Sequence, residues 1–373
     1  TLTMSFNYSS IIDEQLSRDD PLFWNRPTPV NCNTIRIMGI FLCIAAFIGI
    51  IFNGTLLYSF IRYKGLRSPP NIFVMFIVGI GLFASCTILP LTGTSSIYCQ
   101  WLYNRTGCQL SAIVAFLYGC SSSYLLCGAS LSRCYIIIRP FQAKYITVNR
   151  CIVISCIAIF IAFIWTMLPV IGWNEYTMEG ARTSCCINWY DRRISYVSFL
   201  FFLFIVVYCI PLIILIIANT ITMFGLKRMR KKIENGIQTV FNRKRIEMER
   251  RILKSIIITT SGFIFTWTPY AIIFFVSAFQ GKDYAISPMA TFFCACFAKT
   301  SVIWIPMCYV MTSTQFQLNF VNRDALDQSI GTKRIDATAF NASILPQKNG
   351  EIMMMKPITE NINDIQSIAT KID

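Results

Sequence analysis

A single lysine, Lys299, is the only charged residue in the 39 residues from Tyr284 to Asn322. A charge at bilayer depth costs at least about 2.5 kcal/mol, so such a residue marks a functional site by default. The amine of a lysine in an apolar pocket can lose its proton and attack an aldehyde to form a Schiff base. The alternatives are a lysine that extends to the membrane surface and one that pairs with a carboxylate. We disfavour the first, because Lys299 follows Asp283 by about 16 residues, or about 24 Å of helix.

The stretch around Lys299 is one of seven long segments that could each cross a membrane. Hydrophobic residues make up 55% of the chain, charged residues make up 14%, and the mean hydropathy is +0.55. Each segment can supply the roughly 20 apolar residues that span a bilayer, and this length favours helices over the shorter strands of a barrel. We therefore predict an all-α membrane protein, a seven-transmembrane-helix bundle. The segments are residues 37–61, 68–104, 106–132, 151–174, 194–226, 255–281 and 284–322.

Lysines and arginines are distributed unequally between the two sets of loops. The loops after the first, third and fifth segments are rich in them, and the last contains Lys227-Arg228-Met229-Arg230-Lys231-Lys232. Because basic residues are enriched on the cytoplasmic side, we predict an extracellular N-terminus and a cytoplasmic C-terminus. We attribute most of the net charge of +15 to this bias, and we expect no nucleic-acid partner. The fifth loop could also attract anionic membrane lipid.

The predicted outer side carries cysteines and glycosylation sequons. Five of the 16 cysteines fall outside the membrane or at its outer edge, an oxidising compartment where we expect a disulfide. They are Cys32, Cys99, Cys108, Cys185 and Cys186. The sequons at Asn7 and Asn104 also lie outside, which predicts glycosylation. The chain has no histidine and no carboxylate cluster in the membrane, so we expect no metal site, and it carries no enzyme signature.

Short motifs follow one another in a fixed order along the segments. The third segment begins with Gly107-Cys108-Gln109-Leu110 and is followed by Leu131-Ser132-Arg133-Cys134-Tyr135. The sixth contains Phe263-Ile264-Phe265-Thr266-Trp267-Thr268-Pro269-Tyr270, and the seventh contains Phe297-Ala298-Lys299-Thr300-Ser301 and then Ile305-Pro306-Met307-Cys308-Tyr309. This ordered set resembles the rhodopsin-class G-protein-coupled receptors. The string around the lysine narrows the resemblance to opsins, the retinal-binding photoreceptors of animals, and the departures described below favour an invertebrate type.

The resemblance implies a chromophore and a pocket for it. Retinal, in its 11-cis or all-trans form, would be bound to Lys299 as a Schiff base. Trp267, Tyr270 and Phe263 would line the pocket. Ser111 stands where vertebrate visual opsins carry a glutamate on the third helix, so the charge partner used there is missing.

The positions of the acidic residues restrict the partner of this Schiff base. No Asp or Glu occurs in residues 21–174, and none lies in the cores of the last three segments. A protonated Schiff base in the membrane needs a compensating anion, which must come from an outer loop or be replaced by chloride or water. The resemblance implies a disulfide between Cys108 and Cys185, which would bring Glu179 over the pocket. We therefore predict Glu179 as the counterion, ahead of the other outer acids Glu175, Asp191 and Asp283.

The resemblance also implies a heterotrimeric G protein as partner, with arrestin and a receptor kinase as further partners. Arg133 would face the G protein from the third helix, with Tyr309 contributing from the seventh. Glu249, near the inner end of the sixth helix, would pair with Arg133, although a solvated loop charge is an equally good interpretation. Phe316 and Phe320, four residues apart, predict a short amphipathic helix on the inner leaflet after helix 7.

The sequence departs from the family pattern at five positions of the polar switch network. The usual acid before Arg133 is Ser132, the usual tyrosine after it is Cys134, and the usual aspartate of the second helix is Gly81. The asparagine before the seventh-helix proline is Ile305, and the tyrosine of the fifth helix is Asn219. We therefore expect a weakened inactive-state lock and no ion site in the bundle. Two alternatives stay open, an opsin-family retinal photoisomerase with weak signalling and a receptor for a diffusible ligand whose lysine is incidental.

These patterns predict three parts of the chain and one working cycle. The parts are an extracellular segment 1–33, an opsin-like receptor domain 34–321 and a disordered cytoplasmic tail 322–373. We expect a light receptor of the plasma or photoreceptor membrane, and not an enzyme. Isomerisation of retinal would shift the sixth helix about its kink at Pro269 and open a cytoplasmic crevice for the G protein.

Overall fold

The uncharged segments become long helices, named α1 to α7, in a computed structural model of the protein. The structure describes residues 20–234, 240–279 and 287–312, without the side chains of residues 21, 232–234, 240–249, 251, 252, 277–279 and 312. Within these ranges it contains seven helices long and apolar enough to cross a membrane. The prediction of an all-α, multi-pass membrane protein is thereby confirmed. The helices are α1 (Cys32–Arg62), α2 (Pro69–Ile97), α3 (Asn104–Ile138), α4 (Val148–Met167), α5 (Ile194–Leu203, Phe204–Cys209 and Ile210–Glu234), α6 (Val240–Phe279) and α7 (Pro288–Lys299 and Ser301–Thr312).

Several helices extend beyond the uncharged runs that predicted them. The first begins at Cys32, where the Asn31 side chain caps it by accepting from the backbone N–H of Asn33 at 2.9 Å. The third continues past Arg133 to Ile138, and the sixth begins at Val240 within the basic segment. The uncharged runs mark the part of each helix at bilayer depth, whereas the helix itself continues into water.

Two of the helices are irregular next to the centre of the bundle. The fifth contains a π-helical turn at Phe204–Cys209, and such turns are frequent at functional sites. The seventh is interrupted at Thr300, directly after Lys299, where the Thr300 hydroxyl donates to the carbonyl of Phe297 at 2.6 Å. Prolines at positions 269 and 306 lie inside α6 and α7, where they remove a backbone donor and favour a kink.

A short antiparallel hairpin between α4 and α5 closes the end of the bundle at which α1 begins, the end predicted to face outward and called the outer end below. Its strands, β1 (Tyr176–Met178) and β2 (Cys185–Ile187), pair with Met178 opposite Cys185, and every residue in them is buried. A disulfide joins Cys185 to Cys108 of α3. The hairpin is thereby fixed over the helix that forms the middle of the bundle.

The segment before α1 is tied to the same outer end. A one-turn helix at Pro21–Trp24 places Trp24 in a buried cluster with Trp101 and Trp189. A disulfide joins Cys32 to Cys99, a pairing that was not predicted from the sequence. Short helical turns at Lys64–Leu66 and Pro140–Tyr145 complete the elements. The predictions for Asn7, for the amphipathic helix with Phe316 and Phe320, and for the tail 322–373 lie outside the described residues.

Candidate functional site

The amine of Lys299 lies against a buried carboxylate. Its Nζ is 3.2 Å from Oε2 of Glu179, within range of a salt bridge and of a hydrogen bond. The two side chains are 10% and 1% exposed, so water compensates neither charge well. A buried charge is costly unless it is paired, and each of these groups supplies the partner that the other requires.

The local structure of the hairpin explains why Glu179 reaches this position. It directly follows β1, and its backbone N–H donates to the carbonyl of Ser184 at 2.8 Å just before β2 begins. Arg182, with a positive φ of 58°, closes the turn by donating its N–H to the Glu179 carbonyl at 2.8 Å. The Cys108–Cys185 disulfide fixes the second strand, and the tight turn carries the carboxylate inward from it.

Among the described side chains, three donate to the carboxylate of Glu179. Lys299 and the Ser184 hydroxyl both reach Oε2, and the hydroxyl of Tyr270 on α6 reaches Oε1 at 3.3 Å. The carboxylate therefore joins the hairpin to α6 and α7. Hydrogen bonds to an ionised group are the stronger class, so this arrangement fixes the orientation of the acid toward Lys299.

The ion pair forms one wall of a cavity of about 470 Å³. A second cavity of about 650 Å³ adjoins it and shares four lining residues with it, Phe116, Ile187, Trp267 and Tyr270. Aliphatic and aromatic side chains dominate both linings, and Phe263, Phe204 and Phe274 line the second cavity. The result is an apolar space with an amine and its compensating acid on one wall.

Trp267 lies between the two cavities and is fixed from several sides. Its indole Nε1 donates to Ser301 Oγ of α7 at 3.1 Å, and its ring packs against Tyr270 with centroids 6.4 Å apart. The six-membered ring of the indole lies against Gly119 of α3, where a Cβ atom would come within 2.6 Å of it. Only glycine at position 119 leaves room for the indole in this orientation.

The remaining acids of the outer loops have other partners. Glu175 accepts from the side-chain amide of Asn188 at 2.7 Å, and Asp191 is 2.7 Å from the guanidinium of Arg193. Asp283 lies outside the described residues. Ser111 is buried in α3 but does not belong to the described linings of the two cavities.

The predicted G-protein residues lie at the other end of the bundle. Arg133 is buried, and its Nη2 donates to Oδ1 of Asn71 at 3.2 Å. Tyr309 is also buried and packs against Phe60 of α1 with ring centroids 5.8 Å apart. The side chain of Glu249 lies outside the described residues. In this conformation Arg133 is therefore not free to face a partner.

Several site residues were missed by reasoning from sequence. Ser184 bonds the key acid, and Phe116 and Cys186 line the cavity of Lys299. Burial raises the pKa of the Cys186 thiol, which keeps the side chain neutral beside the ion pair. A serine or phenylalanine carries no signal in an apolar sequence.

The comparisons with known proteins all indicate the same family. The model of the 7 transmembrane receptor (rhodopsin family) matches residues 52–309. A relative named "Rhodopsin, GQ-coupled" from Mizuhopecten yessoensis is 29% identical over 304 residues, or 79% of this chain and 61% of that protein. Human melanopsin is 27% identical and matches 75% of this chain and 60% of its own length. The rhodopsin of Sphodromantis sp. is 27% identical, covering 82% and 83% of the two chains.

The chain thus spans about 60% of the length of the first two of these relatives. The crystal structure of squid rhodopsin superposes with a TM-score of 0.72 at 23% identity, covering 83% of this chain and 91% of that one. This likeness supports the fold. The resemblance to invertebrate-type opsins is confirmed by these relatives, which are receptors and not enzymes.

Proposed function

Because the chain belongs to the rhodopsin family of seven-transmembrane receptors, we propose that it is a light receptor that binds retinal through Lys299 and signals to a heterotrimeric G protein. The observation that carries the proposal is the buried pair of Lys299 and Glu179 at the wall of an apolar cavity. A charged amine at this depth is costly and contributes little to packing, so a functional role is the default interpretation. The pair provides both the nucleophile for an aldehyde and the anion for the resulting cation.

The described residues fit a long apolar aldehyde. Lys299 would hold the aldehyde carbon through its amine, which must first give up its proton, as a Schiff base formed with release of one water molecule. Glu179 would balance the positive charge of that linkage once it is protonated. Retinal, when bound, supplies the absorption of light and the change of isomer. Tyr270 and Ser184 hold the carboxylate in place, and the buried hairpin excludes bulk water from the linkage. Phe263, Phe116 and Trp267 would contact the apolar remainder of the ligand.

Trp267 is the residue best placed to transmit a change in ligand shape. It precedes Pro269 by two residues on α6 and is bonded to Ser301 on α7. A ligand that no longer fits against the indole would favour a different position of α6 relative to α7. This is a population shift, driven by the unequal fit of two isomers to two conformations.

The cytoplasmic side provides a surface for a G protein. Lys227, Arg228, Arg230 and Lys231 are exposed at the inner end of α5, the part predicted to contact the partner or anionic lipid. Arg133 would join this surface only after it leaves its buried contact. Arrestin, a receptor kinase and the extracellular orientation of the N-terminus remain predictions from the sequence.

A retinal photoisomerase with weak signalling is the second candidate. It is favoured by Ser132 and Ile305, which replace polar family residues at the inner end of the bundle. Both functions require the same pocket, so the pocket does not separate them. Light-dependent nucleotide exchange on purified G proteins of the Gs, Gi and Gq classes does. Robust exchange supports the receptor, and isomer conversion without exchange supports the photoisomerase.

Attachment at Lys299 can be tested by mass spectrometry. The purified protein is incubated with 11-cis retinal, reduced with borohydride and digested, and we expect the retinyl mass on the peptide that carries Lys299. Lys299→Arg should carry none, whereas the control Lys254→Arg, on the inner part of α6, should be labelled as the wild type is. A retinyl group on another lysine in the wild type, or an adduct that persists in Lys299→Arg, would overturn the assignment.

A further inference from the structure

We propose that Asn71 of α2 is the positioning residue that holds Arg133 of α3 in the resting conformation. This inference rests on the G-protein coupling proposed above and names a contact that regulates it. The amide supplies an uncharged acceptor from α2, since α1 to α4 contain no Asp or Glu.

The contact joins two buried groups at the inner ends of neighbouring helices. Arg133 Nη2 donates to Asn71 Oδ1 at 3.2 Å, and the two residues are only 6% and 3% exposed. The Asn71 amide is itself oriented, because its Nδ2 donates to the carbonyl of Leu66 at 3.0 Å. Since only the nitrogen of the amide can donate, this bond leaves the oxygen to face the guanidinium.

The residue before Arg133 does not compete for this role. The hydroxyl of Ser132 donates to the carbonyl of Ala129 on its own helix at 2.9 Å. No Asp or Glu occurs in residues 21–174, so α1 to α4 and the loops between them supply no carboxylate. The partner that these helices offer to the guanidinium is therefore an amide oxygen.

This contact has a consequence for signalling. Arg133 must leave the amide before it can reach a cytoplasmic partner, so the bond stabilises only the resting conformation. Removing the acceptor shifts the balance away from the resting conformation, and about a tenfold increase in dark activity corresponds to the loss of one such bond.

The test uses the full chain loaded with 11-cis retinal and measures nucleotide exchange on purified Gs, Gi and Gq heterotrimers, in the dark and in light. Asn71→Leu, similar in size but without an acceptor, should raise dark exchange about tenfold and change the light-driven rate little. Ser59→Ala is the control, because Ser59 is buried in α1 and, among the described residues, its hydroxyl donates within its own helix, to the carbonyl of Thr55 at 2.8 Å. It should leave dark exchange unchanged.

A rescue distinguishes a specific contact from general damage. Ser132→Asp, added to Asn71→Leu, supplies a carboxylate next to Arg133 and should return dark exchange toward the wild-type level. Loss of packing alone would not be repaired by a new charge. Dark exchange that stays high in the double variant would contradict the proposed role of Asn71.

Other outcomes also decide the proposal. Wild-type dark exchange in Asn71→Leu at normal pigment yield would overturn it, as would an increase produced by Glu249→Gln and not by Asn71→Leu. If Asn71→Leu yields no pigment, Asn71→Asp is used instead. That variant should lower light-driven exchange by holding Arg133 more tightly, and an unchanged rate would overturn the proposal.

A failure of the proposed function would be visible separately. If the wild type shows no light-dependent exchange on any of the three G proteins, the signalling proposal fails. Hydrogen exchange of residues 253–260, at the inner part of α6, then reports the opening of the bundle without a G protein. Faster exchange in Asn71→Leu than in the wild type supports the role of Asn71, and equal exchange overturns it.

Discussion

Lys299 and Glu179 illustrate how burial restricts what a charged side chain can do. With 3.2 Å between them and almost no exposure, neither group can be removed without stranding the other. Leaving one charge of a buried pair uncompensated typically costs about 3–5 kcal/mol. A change of charge on the amine of Lys299 therefore changes the electrostatic energy of the Glu179 carboxylate. A chromophore attached to the amine would be coupled to the acid in the same way.

The charge partner gives the first prediction. Glu179→Gln keeps the shape of the side chain and removes the anion, so the neutral form of the Schiff base is favoured. We expect the visible band to be replaced by a near-ultraviolet band at neutral pH, because deprotonation then occurs at a lower pH. The measurement is a pH titration of the absorbance of the variant and the wild type.

Glu175→Gln is the matched control, because Glu175 bonds Asn188 and not Lys299. It should titrate as the wild type does. Both titrations are repeated in chloride and in a chloride-free salt. A Glu179→Gln pigment that titrates like the wild type in both salts would refute the counterion assignment, and a wild type that loses its visible band without chloride would assign the role to a bound anion.

Charged residues were predictable at this scale and neutral ones were not. A lone lysine in 39 residues and the absence of acids from 21 to 174 are rare patterns, which directed attention to Lys299 and to the acids of the outer loops. The disulfide implied by the family resemblance then selected Glu179 among those acids. Asn71 bonds the charged group of Arg133 and Ser184 bonds that of Glu179, but amides and hydroxyls are common in apolar helices and loops. Their roles depend on distances that no pattern of residue types contains.

At the scale of elements, α1, α2 and α7 meet where the second helix of the family usually carries an aspartate and this chain has Gly81. Asn53 of α1 donates its Nδ2 to the carbonyls of Gly49 at 2.8 Å and of Val302 at 3.0 Å. A Cβ at Gly81 of α2 would come within 2.7 Å of Oδ1 of Asn53. The glycine that stands in place of the usual aspartate thus allows Asn53 to be packed directly between the helices.

The second prediction follows from this close approach. Gly81→Ala should destabilise the protein by about 1–3 kcal/mol, because the new methyl group must displace an amide that two carbonyls hold. Gly79→Ala, on the same helix, meets nothing within 4 Å and should be neutral or slightly stabilising. The rate of thermal pigment loss in detergent measures both. Equal rates for the two variants would show that the contact at Gly81 is not tight.

The third prediction concerns the disulfide between the hairpin and α3. Cys108→Ser and Cys185→Ser should each reduce the yield of folded pigment, since the bond positions the hairpin that carries Glu179. The double variant should be no worse than either single one, because both remove the same bond. Additive losses would argue against a shared bond. A triple variant that includes the adjacent Cys186 tests whether that thiol takes over the pairing.

The helices themselves were predictable, but their ends and irregularities were not. Seven uncharged runs predicted the membrane-spanning parts, since length and apolar composition are sufficient for that purpose. The extension of α6 back to Val240 depends on helix propensity in water, which the charge pattern does not report. The π-helical turn at Phe204–Cys209 and the break at Thr300 also leave no trace in the charge pattern.

At the scale of the whole molecule, the outer end is covered from two directions. The hairpin lies over the cavity, and the start of α1 is joined to the loop after α2 by the Cys32–Cys99 disulfide. Thr28 donates its N–H to the Cys99 carbonyl at 2.8 Å, and Arg182 of the hairpin turn reaches the carbonyl of Pro27 at 3.3 Å. The cover makes entry of a large ligand from the aqueous side unfavourable.

The fourth prediction tests the orientation of the whole molecule. Asn104 is exposed at the start of α3 with a positive φ of 53°, a conformation that asparagine tolerates well. Thr106→Ala therefore removes the sequon better than a change of Asn104 itself. If this end is extracellular, the variant should lose one glycan, seen as a smaller mobility shift on treatment with peptide N-glycosidase. Ser9→Ala provides the same test at Asn7, and a protein with no glycan at either site would remove this support for the orientation.

The measurement that tests the central claim most directly is the absorbance spectrum of the purified protein with 11-cis retinal. We predict a band shifted to longer wavelength than that of free retinal, which disappears on illumination in the presence of borohydride and is absent in Lys299→Ala. The shift is expected because the protonated linkage lies beside a buried carboxylate in an apolar cavity. A spectrum of free retinal alone, from a protein shown to be folded, would contradict the assignment of Lys299 as the site of attachment.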